Sequence, residues 1–361
     1  MKVIGRPHKR KLAADSLRLV LVLGLIASSS RAQAQKEPAR PQQTDDEVLR
    51  IETTLVTLPV SVLDRHGKLV ANLKREQFRV YENGVEQQIV YFEPPKNSDN
   101  PATSPIQKPF TIALLLDVSD STESKLQQIQ RAALAFVELL QADDRVMVVS
   151  FDKGLQFLTE PTTNREAVRQ AIARTRTGGG TSLYAAIETV IKQHLDQVAG
   201  RKAIVLLTDG VDTSSGGATA NSALQAAEQS DAVIYPIQYN TYGDFADSGS
   251  RETYGAGEFG KIGHVTKNGE PASEAYKRAT LYLRLLADKT GGHFQYADSL
   301  KNLARSFERL ADKLRQQYTL GYYPKDKVAD DKPRQIKVEV AVPSMTVRTR
   351  KSYVYNAPAN H

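Results

Sequence analysis

The sequence predicts an α/β fold: a doubly wound, mostly parallel sheet flanked by helices, with a small β-sandwich-like region built from N- and C-terminal strands. Three observations carry that expectation. The apolar runs 112–116 (IALLL) and 203–207 (AIVLL) show no polar alternation, which marks strands buried on both faces. Strand-like and helical patterns alternate around them, and such alternation requires crossover connections and parallel strands. Outside that block, residues 56–62 and 336–342 are apolar at every second position, the period of a half-buried strand.

The chain has 361 residues, 40% of them hydrophobic and 25% charged, an ordinary globular composition. That length suits two domains or one large one. The formal charge is +7, but it is unevenly placed. Residues 1–34 hold seven basic side chains and one acid, so the remainder carries only +1. A near-neutral body argues against nucleic acid as a partner. The basic start, the apolar run Leu19 to Ala27 and the small residues at Ala32-Gln33-Ala34 read as an export signal over 1–34. The run is shorter than the about 20 residues a membrane span needs, so none is expected once the signal is removed. The expected location is the periplasm or the outside of the cell. The chain has no Cys, so stability there must come from packed cores and bound metal.

Residues 35–47 are rich in Pro, Gln and charge and read as a flexible leader. An N-terminal β region is expected over 48–95. Val56, Leu58, Val60 and Val62 form one strand, and Asp64 to Gly67 a turn. Phe78 and Val80, then Asn83-Gly84, then Ile89 and Tyr91, read as a hairpin, since Asn-Gly supplies the positive φ angles of a type I′ turn. Residues 96–108 form a second linker.

The α/β block is expected over 109–317. Its first helix shows Leu126, Ile129, Ala133, Phe136 and Leu140 at three- and four-residue spacing. Further elements are a strand at 146–151, helices at 165–174 and 182–195, and a strand at 233–238. Residues 241–273 lack periodicity and read as a long surface insertion. A last helix carries Leu300, Leu303, Phe307, Leu310 and Leu314. Residues 318–356 return to a β pattern, with strands expected at 318–323, 336–342 and 347–355. Neither this piece nor 48–95 is large enough for a comfortable core. The two are expected to pack together as one sandwich, with the α/β block inserted between them.

The functional signal sits where the buried runs end. Asp117, Ser119 and Ser121 follow the first run at alternate positions; Thr208, Asp209 and Gly210 follow the second. Between them, Gly178 to Gly180 lead into Thr181 at a helix start. Parallel strands deliver such residues to the carboxyl edge of the sheet, where open α/β folds bind ligands. Carboxylates and hydroxyls without Cys or His are hard oxygen donors, suited to Mg²⁺, Ca²⁺ or Mn²⁺ and poorly matched to zinc. The D-x-S-x-S at Asp117, Ser119 and Ser121, the Thr at 181 and the T-D-G Asp at 209 occur in the order found in the von Willebrand factor type A domain. The chain resembles that family and its metal-ion-dependent adhesion site. The segment 62–92 also resembles the opening of the von Willebrand A-related proteins of acidobacteria, which place a short β region ahead of the A domain.

The resemblance implies that Asp117, Ser119, Ser121, Thr181 and Asp209 hold one divalent cation, foremost Mg²⁺, with Mn²⁺ or Ca²⁺ as substitutes. It implies non-enzymatic, metal-dependent adhesion: a protein or surface polymer presenting Asp or Glu fills an open coordination position. In the family, that last helix is the one that can shift when the metal site is occupied. A structural role in an envelope complex is the alternative. A metal-dependent phosphatase-like hydrolase is disfavoured, because that motif needs a second Asp where Ser119 stands. No G-x-S-x-G marks a serine hydrolase, and the glycine run lacks the Lys of a P-loop. His66, His194, His264 and His293 show no ligand spacing; His293 reads as a surface residue before an edge strand. Asp120 and Asp212 read as solvated loop acids.

Overall fold

The computed structural model describes residues 55–95, 108–239, 271–297, 302–328 and 332–355. The export segment, the leader, nearly all of the second linker, most of the 241–273 insertion, Leu300 and His264 lie outside the described residues.

The first strand, β1 (Val56–Leu63), alternates buried and half-buried along its whole length, as its two-residue period requires. A turn follows in which the Gly67 amide donates to the Asp64 carbonyl at 2.9 Å. Strands β2 (Phe78–Glu82) and β3 (Val85–Gln87) form a hairpin across Asn83-Gly84, whose φ angles are 48° and 81°. The hairpin is shorter than expected. Ile89 and Tyr91 belong to a separate strand, β4 (Ile89–Glu93), which crosses to another sheet.

The α/β block begins with β5 (Phe110–Asp117), buried throughout. It continues through α1 (Leu126–Glu138), β6 (Arg145–Phe151), β7 (Leu155–Phe157), α2 (Arg165–Arg174), α3 (Leu183–Gln193), β8 (Arg201–Thr208) and α4 (Ala220–Gln229). It ends with β9 (Val233–Tyr239), α5 (Ala272–Thr290), β10 (Gln295–Ala297) and α6 (Leu303–Arg315). The six strands lie in the order β10-β9-β8-β5-β6-β7, and only β7 runs antiparallel to its neighbour. Ile112, Leu114 and Leu116 pack with residues of α1, α2 and α6 on one face, Ala113 and Leu115 with α3, α4 and α5 on the other. Each fully buried Leu or Ile contributes roughly 1.5–3 kcal/mol. Helices α4 and α5 were not legible in the sequence. In α4 the buried residues are Ala223, Ala226 and Ala227, too small to mark a stripe, and α5 begins at Ala272, inside the stretch read as insertion.

The C-terminal strands are β11 (Tyr318–Tyr322), β12 (Pro333–Val340), β13 (Thr346–Arg348) and β14 (Ser352–Val354). The expected single strand over 347–355 is therefore two, and they join different sheets. Arg350 breaks it: its buried guanidinium donates to the carbonyls of Ser352 and, across the interface, Glu228. Two four-stranded sheets result, β13-β1-β11-β4 and β14-β12-β2-β3, each mixing N- and C-terminal strands. One core joins them, with Val56, Leu58, Val60, Phe78 and Val80 from the first piece and Tyr318, Leu320, Ile336 and Val338 from the second.

A polar cluster sits in this sandwich. Glu82, 3% exposed, accepts from Arg334 Nη1 at 2.7 Å, Tyr322 Oη at 2.7 Å and Tyr353 Oη at 2.6 Å. The described residues belong to one compact unit. Arg201 helps to join its parts: at the start of β8 it donates to the carbonyls of Lys108 (3.5 Å) and Leu314 (3.3 Å) and pairs with Glu93 at 3.6 Å. One guanidinium thus touches the entrance and the exit of the α/β block and the last residue of β4.

Candidate metal centre

Strands β5 and β8 are parallel neighbours whose chains leave the sheet in opposite directions, β5 into α1 on one face and β8 towards α4 on the other. Such divergence at the carboxyl ends of neighbouring strands marks the place where open α/β sheets bind ligands. Asp117 is the last residue of β5, and Thr208 the last of β8.

Asp117 is fully buried. Its Oδ1 accepts from the Ser119 amide at 3.1 Å, and its Oδ2 from Thr208 Oγ1 at 2.6 Å. Ser119 and Ser121 share a hydroxyl contact of 3.0 Å, and Ser121 Oγ donates to Asp209 Oδ2 at 3.1 Å. Residues 120–125 form a 3₁₀ turn, stabilised where Thr122 Oγ1 donates to the Ser119 carbonyl at 2.7 Å. That tight turn points Ser119 and Ser121 inward together.

The glycine loop is tied to both neighbours. The Gly178 amide donates to the Val118 carbonyl at 2.9 Å, beside a β-bridge between Ser119 and Gly178. The Thr181 amide donates to Thr213 Oγ1 at 2.9 Å, and the Thr181 carbonyl accepts from the amides of Thr213 and Ser214, each at 2.9 Å. Thr181 is buried. Glycine suits this loop. A Cβ on Gly178 would stand 1.9 Å from Asp152 Oδ2, and Gly180 has φ +78° with Ser214 Oγ 2.3 Å from a Cβ. The three loops carrying Asp117, Ser119, Ser121, Thr181 and Asp209 are therefore hydrogen-bonded to one another, with direct side-chain links among Ser119, Ser121 and Asp209.

The electrostatics are unbalanced. Burial raises the Asp117 pKa well above the usual carboxylate range, and the negative charge of Asp209 raises it further. Hydrogen bonds from Thr208 and Ser119 oppose the shift. Lys125 is also buried; desolvation lowers its pKa, and the charge of Asp209 pulls it back up. Two carboxylates and three hydroxyls are hard oxygen donors, and their chemistry fits a hard divalent cation. Among the described residues no group of three or more His, Cys, Asp or Glu could hold a metal; the donors here are mixed.

Several residues near the site were not identified from the sequence. Thr208 holds Asp117, a role the T-D-G string could have suggested. Tyr276 Oη donates to Asp209 Oδ2 at 3.4 Å from a helix that the sequence pattern concealed. Asp212 was expected to be solvated but is half-buried: it accepts from the Tyr184 amide at 3.1 Å and from Ser215, bracing the start of α3. Asp120 is exposed as expected. His66, His194 and His293 have partners elsewhere, in Arg65, the Phe157 ring and Arg348. His293 is half-buried rather than a plain surface residue.

Residues 112–211 match the family model of the von Willebrand factor type A domain. A UPF0353 protein of Nocardia farcinica is 27% identical over 232 residues, which cover 58% of this chain and 65% of that protein. The chain spans less than two thirds of the length of the curated relatives it matches. Among solved structures, the vWF domain of the type V pili tip protein Mfa5 from Porphyromonas gingivalis is 15% identical with a TM-score of 0.43, covering 58% of this chain and 96% of that one. A von Willebrand factor type A structure from Catenulispora acidiphila is 12% identical with a TM-score of 0.43, covering 85% of this chain and 74% of that one. The matched stretch runs from within β5 to just past Asp209, so this part of the chain is similar to the von Willebrand factor type A domain.

Proposed function

We propose that this is an exported, non-enzymatic interaction protein that binds an acidic group of a partner through a divalent cation, foremost Mg²⁺. One observation carries the reading. Asp117 and Asp209 are buried beside each other at a sheet crevice, and hydroxyls fill the space around them. Carboxylates buried side by side repel each other, and a divalent cation between them relieves that repulsion.

In this reading each residue has a task. Asp117 and Asp209 balance the charge of the ion. Ser119, Ser121 and Thr181 offer hydroxyl oxygens. Thr208 fixes the Asp117 carboxylate, and the glycine run lets the Thr181 backbone come close. A bound ion would supply a position open to a carboxylate of a protein or surface polymer. Export rests on the basic and apolar pattern of 1–34. Among the described residues no helix is long and apolar enough to cross a membrane.

The test is capture from a cell-envelope extract in Mg²⁺, followed by elution with EDTA. The expected result is a protein or polymer released by EDTA and not captured by Asp117→Ala. Equal capture by both proteins, indifferent to EDTA, overturns the reading. A rise in melting temperature with Mg²⁺ and no EDTA-sensitive capture would assign the ion to bracing an assembly instead.

A further inference from the structure

A second cluster lies at the opposite edge of the central sheet, where α6 and the strand β13 meet the turn before β10. Arg309 and Lys313 stand one helical turn apart on α6, a like-charge spacing that costs stability when nothing offsets it. Arg348 comes to the same place from β13. Its Nη1 lies 2.6 Å from His293 Nδ1. A guanidinium has only donors, so Nδ1 accepts and the ring proton sits on Nε2. His293 is therefore a neutral donor. The charges of Lys313 and Arg348, after burial itself, keep its pKa down at about 3. Burial, then Arg348 and Arg309, lowers the Lys313 ammonium to about 8.

Arg309 and Arg348 are exposed, and Lys313 is half-buried. Among the described residues, Arg309, Lys313 and Arg348 have no carboxylate partner. Asp312, beside Lys313, is taken by Arg315 at 2.9 Å. The carboxyl end of a helix favours a cation in its last turn. That accounts for Lys313 but not for Arg348, which comes from a strand. Alternation along β10 adds one more donor. Gln295 is on the same side as Ala297, which packs in one core with Leu303, Phe307 and Leu310 of α6. Gln295 is 6% exposed, and its Nε2 finds no acceptor among the described residues. Apart from His293 Nδ1, which Arg348 already occupies, the cluster offers donors and positive charge. A compact anion with several oxygens complements both.

We propose that His293, Arg309, Lys313 and Arg348 form a binding site for a phosphate-class oxyanion, separate from the candidate metal centre and set where α6 meets β13.

The test is thermal unfolding of the full chain in EDTA, in sodium phosphate against sodium chloride at equal ionic strength. Phosphate well above its Kd is expected to raise Tm by roughly 2–4 °C. The doubly substituted Lys313→Gln, Arg348→Gln protein should lose that response. It should melt no lower than wild type in chloride, because like charges have been removed. Arg131→Gln, a remote exposed cation, should keep the full response. Glycerol phosphate distinguishes the source of the anion. An equal response to it assigns the site to a phosphoryl group on a larger molecule; a response to phosphate alone assigns it to the free ion. No phosphate response in wild type, or an equal one in the double variant, overturns the proposal.

Discussion

Glu82 in the sandwich and the Asp117–Asp209 pair at the sheet crevice are all buried, yet they are treated in opposite ways. Glu82 has a guanidinium and two phenol hydroxyls aimed at it, so each oxygen has a partner. Asp117 faces hydroxyls and a backbone amide, yet burial and the charge of Asp209 raise its pKa, and among the described residues the one cation that reaches the pair, Lys125, acts on Asp209. A buried charge with a complete set of partners holds a fold together.

The comparison can be broken at Glu82 first, where the largest effect is expected. Glu82→Ala leaves Arg334 buried without its closest carboxylate and should destabilise the protein by about 3–5 kcal/mol in urea unfolding. Tyr353→Phe removes one charge-assisted hydrogen bond and should cost about 1.5–3 kcal/mol in the same assay. A negligible cost in both would mean the Glu82 cluster is not the structural counterpart argued above.

The aspartate side should respond in the other direction. Asp117 has a higher pKa folded than unfolded, so the folded state binds more protons. Metal-free stability should therefore fall as pH rises above the unfolded value of 3.8. Asp117→Asn should flatten that dependence and shift stability in EDTA by no more than roughly 1 kcal/mol. It should also abolish the rise in Tm on adding Mg²⁺, which differential scanning calorimetry will read.

The smallest effect is expected at His293, where the sign reverses again. Its pKa lies near 3 folded against 6.5 unfolded, with Lys313 and Arg348 facing it. The unfolded chain binds the extra proton between those values, so stability should rise with pH across that range. His293→Gln should reduce that slope in chemical denaturation at several pH values.

Much of this architecture could be read from the residues. The alternation at Val56 to Val62 fixed both the strand and its buried side, and Asn83-Gly84 fixed the turn. The two apolar runs located the middle of the sheet, and the polar residues at their ends located the crevice. What escaped has specific causes. Helix α4 buries alanines, which carry little periodic signal. Helix α5 was masked by the aperiodic stretch before it. Strands β13 and β14 read as one because Arg350, a charged residue, is buried between them and bonded to the backbone. At the site, Lys125 and Tyr276 were missed because their approach to Asp209 depends on a 3₁₀ turn and on helix docking rather than on spacing.

The Arg201 contact has a consequence for how the chain is made. Strand β1 pairs with β11, so Val56 meets Tyr322 only after the whole intervening block has been synthesised. Until then, half a sandwich leaves the ribosome with its apolar face uncovered. By gathering Lys108 and Leu314 to one side chain, Arg201 sets the late strands down beside the early ones once the block has folded. The long entropic search between distant segments becomes a local one. A chain that ended before β11 would leave β1 without that antiparallel partner.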